Sequence, residues 1–352
     1  QRDKNLSKKS KNNFEFGSEM LVNHAFARIC GCINDSSRYV RLTCSRALGL
    51  LRFASPSRVL QCLRKKLDQP LSEEPPWAES SMSRALWAGG LRHAWEDETL
   101  EVRSNAASTL GTFAKRAAAG LQGFQVSKAS NSSPLEPDWE PFVVLTKGMT
   151  LDGVDHKVHP LPGPQKEILE QCGSALFDLV MDPHHTIRAR SLQELASIVK
   201  NLILTDQNVQ TLLLSINDSD LNVRLQALRV IGSTRFSSPS QLYRVIQKLL
   251  SSLSLRSRNG GERVDIEQKG EEQDENYRAT MEALEDIAVQ HSGLIAPIFR
   301  CKSVKGHLLE EVAPKSESNG PRLPRQEGLQ VLLKASGDYA LFRDSYYIEG
   351  AC

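Results

Sequence analysis

One short pattern recurs four times and constrains this chain more than any other feature. It is Asp, four residues, Val or Ile, then Arg: Asp35/Val40/Arg41, Asp97/Val102/Arg103, Asp182/Ile187/Arg188 and Asp218/Val223/Arg224. The copies stay in register downstream. Four residues past the Val or Ile stands a small residue (Cys44, Ala106, Ser191, Ala227), and eight past it a branched aliphatic (Leu48, Leu110, Leu195, Ile231). Nine past it stands Gly49, Gly111, Ala196 or Gly232. Positions 0, +4 and +8 drift slowly around an α-helix, so they form one mainly apolar stripe. Small side chains at +4 and +9 let a neighbouring helix approach closely.

Upstream of each Asp lies a second stretch with an apolar helical face, at 21–34, 83–96, 168–181 and 208–217. The unit is therefore helix A, a turn holding the Asp, then helix B. Ser36, Ser37, Thr99 and Ser219 stand where helix B needs an N-cap acceptor. A two-helix hairpin cannot bury its apolar face alone, so copies must stack. The predicted class is all-α: an α-solenoid of helix hairpins with irregular insertions.

The third and fourth turns are 36 residues apart, near the period of HEAT repeats, which the units resemble. In HEAT repeats the turn Asp and the helix-B Arg bond across adjacent units. The resemblance therefore implies a structural ladder of Asp35, Asp97, Asp182 and Asp218 with Arg41, Arg103, Arg188 and Arg224.

The expected organisation is a polar basic tail at 1–16, a HEAT-like solenoid over 17–300 and an irregular or truncated segment at 301–352. Repeats fall around 21–54, 83–116, 168–200 and 208–234, with a degenerate region over 241–300 that holds a fifth helix at 241–253 and a helix pair at 277–300. A Pro-rich linker occupies 68–80. Residues 120–165 lack helical periodicity and read as an insertion projecting from one face. The charged, Gly-containing stretch 255–276 reads as a loop. The sequence opens QRDKNLSKKSKNN without an initiator Met, which suggests a fragment.

Composition narrows the class without naming an activity. Lys and Arg exceed Asp and Glu by two, so no whole-chain charge bias points to a nucleic-acid sleeve or an acidic tail. No apolar run reaches the length of a membrane helix. Seven irregularly spaced cysteines make no disulfide framework, so a reduced, soluble, intracellular chain is expected.

Candidate chemistry reads poorly. Asp218, Asp220 and Asn222 mimic the start of a calcium loop, but Val223 replaces its Gly and Arg229 its Glu. His156 and His159 lack a third ligand. Cys30 and Cys32 point to different faces of one helix, and His184 with His185 read as a solvated turn. No Gly-rich phosphate loop or nucleophile elbow occurs. Catalytic, cofactor and metal residues are therefore none, and no enzyme is expected.

A narrower likeness rests on LVNHAFARICGCINDSSRYVRLTCSRALGLL and the following LQCLRKKL, within 21–67. These resemble the HEAT region of the Integrator complex subunit 4 family. The units EDETLEVRSNAASTLGTFA, LFDLVMDPHHTIRARSLQELASI and INDSDLNVRLQAL then follow in the family's order. The insertion at 120–165 departs from that pattern. The resemblance implies a nuclear, non-catalytic scaffold that holds metallo-β-lactamase-like subunits, one of them an RNA endonuclease, in snRNA 3′-end processing. It leaves direct RNA contact open and implies no membrane. The rival reading is a cytoplasmic or nuclear adaptor or carrier of another assembly, such as a vesicle coat or nuclear transport.

Overall fold

The computed structural model describes residues 21–51, 54–64, 88–129, 163–254, 266–292, 295 and 328–332. Every regular element among them is helical, and the fold is an all-α solenoid of HEAT-like hairpins. The chain divides into two compact units, Gln1–Ile198 and Val199–Cys352.

In the first unit, α1 (21–31) runs into a 3-10 turn, Cys32–Asn34, and is followed by α2 (Arg38–Leu50) and α3 (Pro56–Leu63). Then come α4 (Gly90–Trp95), α5 (Leu100–Ala129), α6 (Gly163–Val180) and α7 (His185–Ile198). The B helices α2, α5 and α7 pack side by side in that order, while α3 lies on α6 in the other layer. The rings of Phe26 and Phe113 sit 6.1 Å apart between the layers.

The repeat stripe is the core of this arrangement. Val102, Ala106 and Leu110 on α5 are fully buried, as are Ile187, Ser191 and Leu195 on α7. Burial of each large aliphatic stabilises by about 1.5–3 kcal/mol. On α2 only Leu48 of the three is buried, whereas Val40 and Cys44 are half-buried. The small +9 residue marks the seam between repeats. A Cβ on Gly49 would lie 3.1 Å from Oγ1 of Thr109, and one on Gly111 would overlap the carboxylate of Glu194. Thr109 and Glu194 occupy the same position, +7, in the next repeat, so the seam is itself periodic.

The first helix of the second hairpin is divided. α3 starts on Pro56, whose fixed φ suits a first turn, and stops where Arg64 turns extended. α4 resumes at that point: the Gly89 N–H donates to the Gln61 carbonyl at 3.0 Å, and the Leu91 N–H to Cys62 Sγ at 3.3 Å. Gly89 has φ 71°, the left-handed conformation that glycine adopts without strain. A Cβ on Gly90 would stand 2.8 Å from the Cys30 carbonyl oxygen. Of the helix expected over 83–96, Gly90–Trp95 is helical and residues 83–87 lie outside the described residues; α3 packs beside α4 in the same layer.

The second unit begins with a 3-10 turn, Val199–Asn201, then α8 (Asp206–Ser215), α9 (Leu221–Ser233), α10 (Pro239–Ser254) and α11 (Ile266–Gln290). A helical turn follows at 328–332. α8 pairs with α9, α10 packs on α8 and α11, and α11 on α9. Thr205 caps α8 by accepting the Asn208 N–H, and Asp220 caps α9 by accepting the Val223 N–H.

Three local expectations need correction. The stretch 120–165 is not wholly irregular, because α5 continues to Ala129 and α6 begins at Gly163. The Ala-rich run at 114–119 favours extension of α5 past its apolar repeat, and the helix persists to Ala129 despite Gly120 and Gly123. Likewise 266–276 is helix and not loop, since its Glu and Gln residues favour the helical state even without a strong apolar stripe. Finally, the turn acceptors in all four repeats are the Asp carboxylates, not the Ser or Thr hydroxyls. The 1–16 tail, the 68–80 linker, His156 and His159 lie outside the described residues, as does 301–352 apart from 328–332.

Candidate functional site

The four repeat turns are built alike. In each, an Asp Oδ1 accepts the N–H of the residue two further on: Asp35 from Ser37, Asp97 from Thr99 and Asp182 from His184, all at 2.8 Å, and Asp218 from Asp220 at 3.0 Å. One turn of helix B later, the repeat Arg folds back and donates Nη1 to two carbonyls of its own turn. Arg41 reaches those of Asp35 and Ser36, and Arg103 those of Asp97 and Glu98. Arg188 reaches Asp182 and Pro183, and Arg224 reaches Asp218 and Ser219.

The guanidinium's other edge links repeats. Arg41 donates Nε and Nη2 to the two carboxylate oxygens of Asp97, at 2.7 and 3.2 Å. Arg103 does the same to Asp182, at 2.8 and 3.2 Å. The planar fork of Arg matches a carboxylate in this bidentate way, which Lys cannot do. In the second unit Arg224 lies 3.9 Å from Glu272 of α11. Arg188 and Asp218 belong to different units, and each serves its own turn.

Burial alone would raise the Asp97 carboxyl. The hydrogen bond from Arg41, those from the Thr99 N–H and hydroxyl, and the Arg41 charge outweigh it and hold the group below the usual carboxylate range. Asp97 is thus an anion at neutral pH, with its oxygens already engaged. Such a ladder fixes the pitch of the stack; it offers no free acid or base for chemistry.

No family model matches the chain. Integrator complex subunit 4 of Drosophila melanogaster is 23% identical over 237 residues, which is 66% of this chain and 21% of that protein. The Homo sapiens protein of the same name is 22% identical over 239 residues, covering 66% and 22%. The chain is distantly similar to Integrator complex subunit 4. It spans about a fifth of the length of these subunit 4 relatives. Among solved structures, an engineered protein aligns over 89% of this chain and 96% of its own, at 12% identity and TM-score 0.42. A designed armadillo repeat protein aligns over 88% and 99%, at 13% identity and TM-score 0.41.

Two further buried charges and a thiol pair hold the first unit together. Glu194 is buried over Gly111 yet pairs with Lys115 at 2.8 Å and Arg190 at 2.9 Å, tying α7 to α5. Arg116 is buried and donates to the carbonyls of Gly49 and Leu51, closing the end of α2. Glu194 carried a usable signal, a charge within an otherwise apolar helical face; Arg116 carried none. A thiol pair also lies inside: Cys30 Sγ and Cys62 Sγ are 3.2 Å apart, and both residues are fully buried. Burial, followed by the Cys62 contact, pushes the Cys30 thiol far up, and burial does the same for Cys172. Cys32 faces solvent. Among the described residues no three His, Cys, Asp or Glu side chains converge on a metal position, and no helix is long and apolar enough to cross a membrane.

Proposed function

We propose that the chain is a non-catalytic scaffold segment of an Integrator-type complex in the nucleus. It would support the metallo-β-lactamase-like endonuclease module in snRNA 3′-end processing and in attenuation of RNA polymerase II transcripts. The observation that carries this reading is the similarity to Integrator complex subunit 4 across 66% of the chain. The physical character of the stack agrees with it. Charged side chains of the ladder are spent on turns and seams, so the repeats hold shape and present helix surfaces to partners.

The test is recovery of the tagged chain from nuclei under mild salt, with mass spectrometry of what accompanies it. Enrichment of a metallo-β-lactamase-like nuclease subunit is expected. Recovery of coat proteins or importin cargo in its place would move the chain to the adaptor or carrier reading.

A further inference from the structure

Two large hydrophobic side chains on α2 stay out in solvent: Tyr39 is 66% and Leu50 71% exposed. Among the described residues no other helix carries two such side chains. Thr43 and Arg46 are exposed as well, and the spacing 39, 43, 46, 50 puts all four on one face, opposite the buried Leu48. The half-buried Leu42 borders this strip. Thr43 spends its hydroxyl within the helix, donating to the Tyr39 carbonyl at 2.8 Å. Arg38 lies 4.8 Å over the Tyr39 ring and donates to its hydroxyl at 3.0 Å, which holds the ring in place. Glu101 of α5 acts on Arg38, whereas no described carboxylate pairs with Arg46. The surrounding sequence has the same sign as Arg46. Residues 36–67 hold eight Arg and Lys and no Asp or Glu, against a balance of +2 for the whole chain.

We propose that the Tyr39–Thr43–Arg46–Leu50 face of α2 is a docking strip for an acidic amphipathic helix of a partner protein. Tyr39 and Leu50 stand about 16 Å apart along the helix, or three turns, so a partner helix laid along α2 sets an apolar side chain against each. Tyr and Arg are the residue types that most often dominate binding energy, and here both stand on one short strip. A carboxylate between the partner's apolar residues meets Arg46, and further Glu or Asp gains from the excess of cations in this part of the chain. A nucleic-acid strand would use the cations but leave Leu42 and Leu50 without a counterpart, and a single aromatic ring is no stacking platform. An acidic helix uses both the charge and the apolar ends. The inference does not depend on the Integrator reading.

The experiment uses the full chain and a labelled probe peptide, three copies of LEALEEK, followed by fluorescence anisotropy. Saturable binding is expected, weakened at least about fivefold by each of Tyr39→Ala, Leu50→Ser and Arg46→Glu. Arg28→Glu makes the same charge change at an exposed site on α1 and is expected to alter binding less than about twofold. A peptide with the charges reversed, LKALKKE in three copies, is expected not to bind. With the acidic probe bound, amide exchange is expected to slow at 43–50 and not at 24–31. No saturable binding by the unaltered chain overturns the proposal, as do equal affinities of the Arg46→Glu and Arg28→Glu chains. Tighter binding of an oligouridylate than of the acidic probe also overturns it, because the strip would then serve a nucleic acid. The same holds if Tyr39→Ala or Leu50→Ser unfolds the chain, since the face would then be core and not surface.

Discussion

Arg41 and Asp97 stand 56 positions apart, yet meet through two parallel N–H···O bonds of 2.7 and 3.2 Å. Arg103 and Asp182 repeat the arrangement across 79 positions. Direction matters in both pairs: the Arg of one repeat reaches the Asp of the next. Each partner also works at home, the Asp accepting an N–H of its own turn and the Arg donating to its own turn carbonyls. Turn shape and stacking are thus set by the same atoms.

That double duty predicts the cost of losing one Asp. Asp182→Ala removes the acceptor of the His184 N–H and leaves the half-buried Arg103 fork without its carboxylate. Hydrogen bonds to charged groups contribute about 1.5–3 kcal/mol, so a loss of about 2 kcal/mol is expected in urea unfolding of the first unit. Glu170→Ala removes an exposed ion pair with Lys166 on α6 and is the contrasting case, with a change within about 0.5 kcal/mol. Equal effects of the two substitutions would deny the ladder its structural role.

Acid should dissolve the Arg41 rung in a defined direction. The folded Asp97 is held below its ordinary value, so in acid the unfolded chain takes up its proton first. The contribution is full above about pH 4, the unfolded value, and disappears as pH falls through the lower folded one. Urea midpoints of the unaltered chain and Asp97→Asn, measured from pH 2 to 7, should therefore differ most at neutral pH and converge in acid. A difference that stays constant with pH would contradict the assignment.

The parts of this fold that sequence discloses are those that recur. Stripe positions such as Val102, Ala106 and Leu110 are visible because burial repeats with the helical period, and the +9 glycines because each seam needs the same close approach. Features that occur once leave no such trace. Arg116 caps α2 from more than sixty residues away, and α4 resumes α3 through one bond to Gln61 that no local pattern announces. The helical ends at 120–129 and 266–276 were hidden for another reason. Gly120 and Gly123 lower the propensity of the first, the Glu and Gln residues of the second favour helix, and both lack the apolar periodicity that is the stronger cue.

Burial orders the thiols by reactivity. Cys32 is exposed, whereas Cys30, Cys62 and Cys172 are buried, with the Cys30 and Cys172 thiols pushed well up. Since the thiolate is the nucleophile, iodoacetamide at neutral pH should modify Cys32 at once. The three buried thiols should react only when denaturant opens the unit. Peptide mapping after a short pulse reads the order directly, and early labelling of Cys172 would contradict the packing of α6.

The divided helix makes the last prediction. The chain leaves α3 at Arg64 and re-enters through Gly89, whose N–H completes a bond to Gln61 as if the helix had not been interrupted. Residues 65–87 therefore depart from and return to one point. Replacing them with about five Gly and Ser residues shortens the connection roughly fourfold, which alters closure entropy by only about 1 kcal/mol, in the favourable direction. The shortened chain should keep the melting temperature of the first unit or raise it slightly. Hydrogen exchange should show α3 and α4 still protected together, because Cys62, Leu91 and Gly90 keep their places against Cys30. Loss of protection in α4 alone would mean that the replaced residues, not the bond to Gln61, hold it in line.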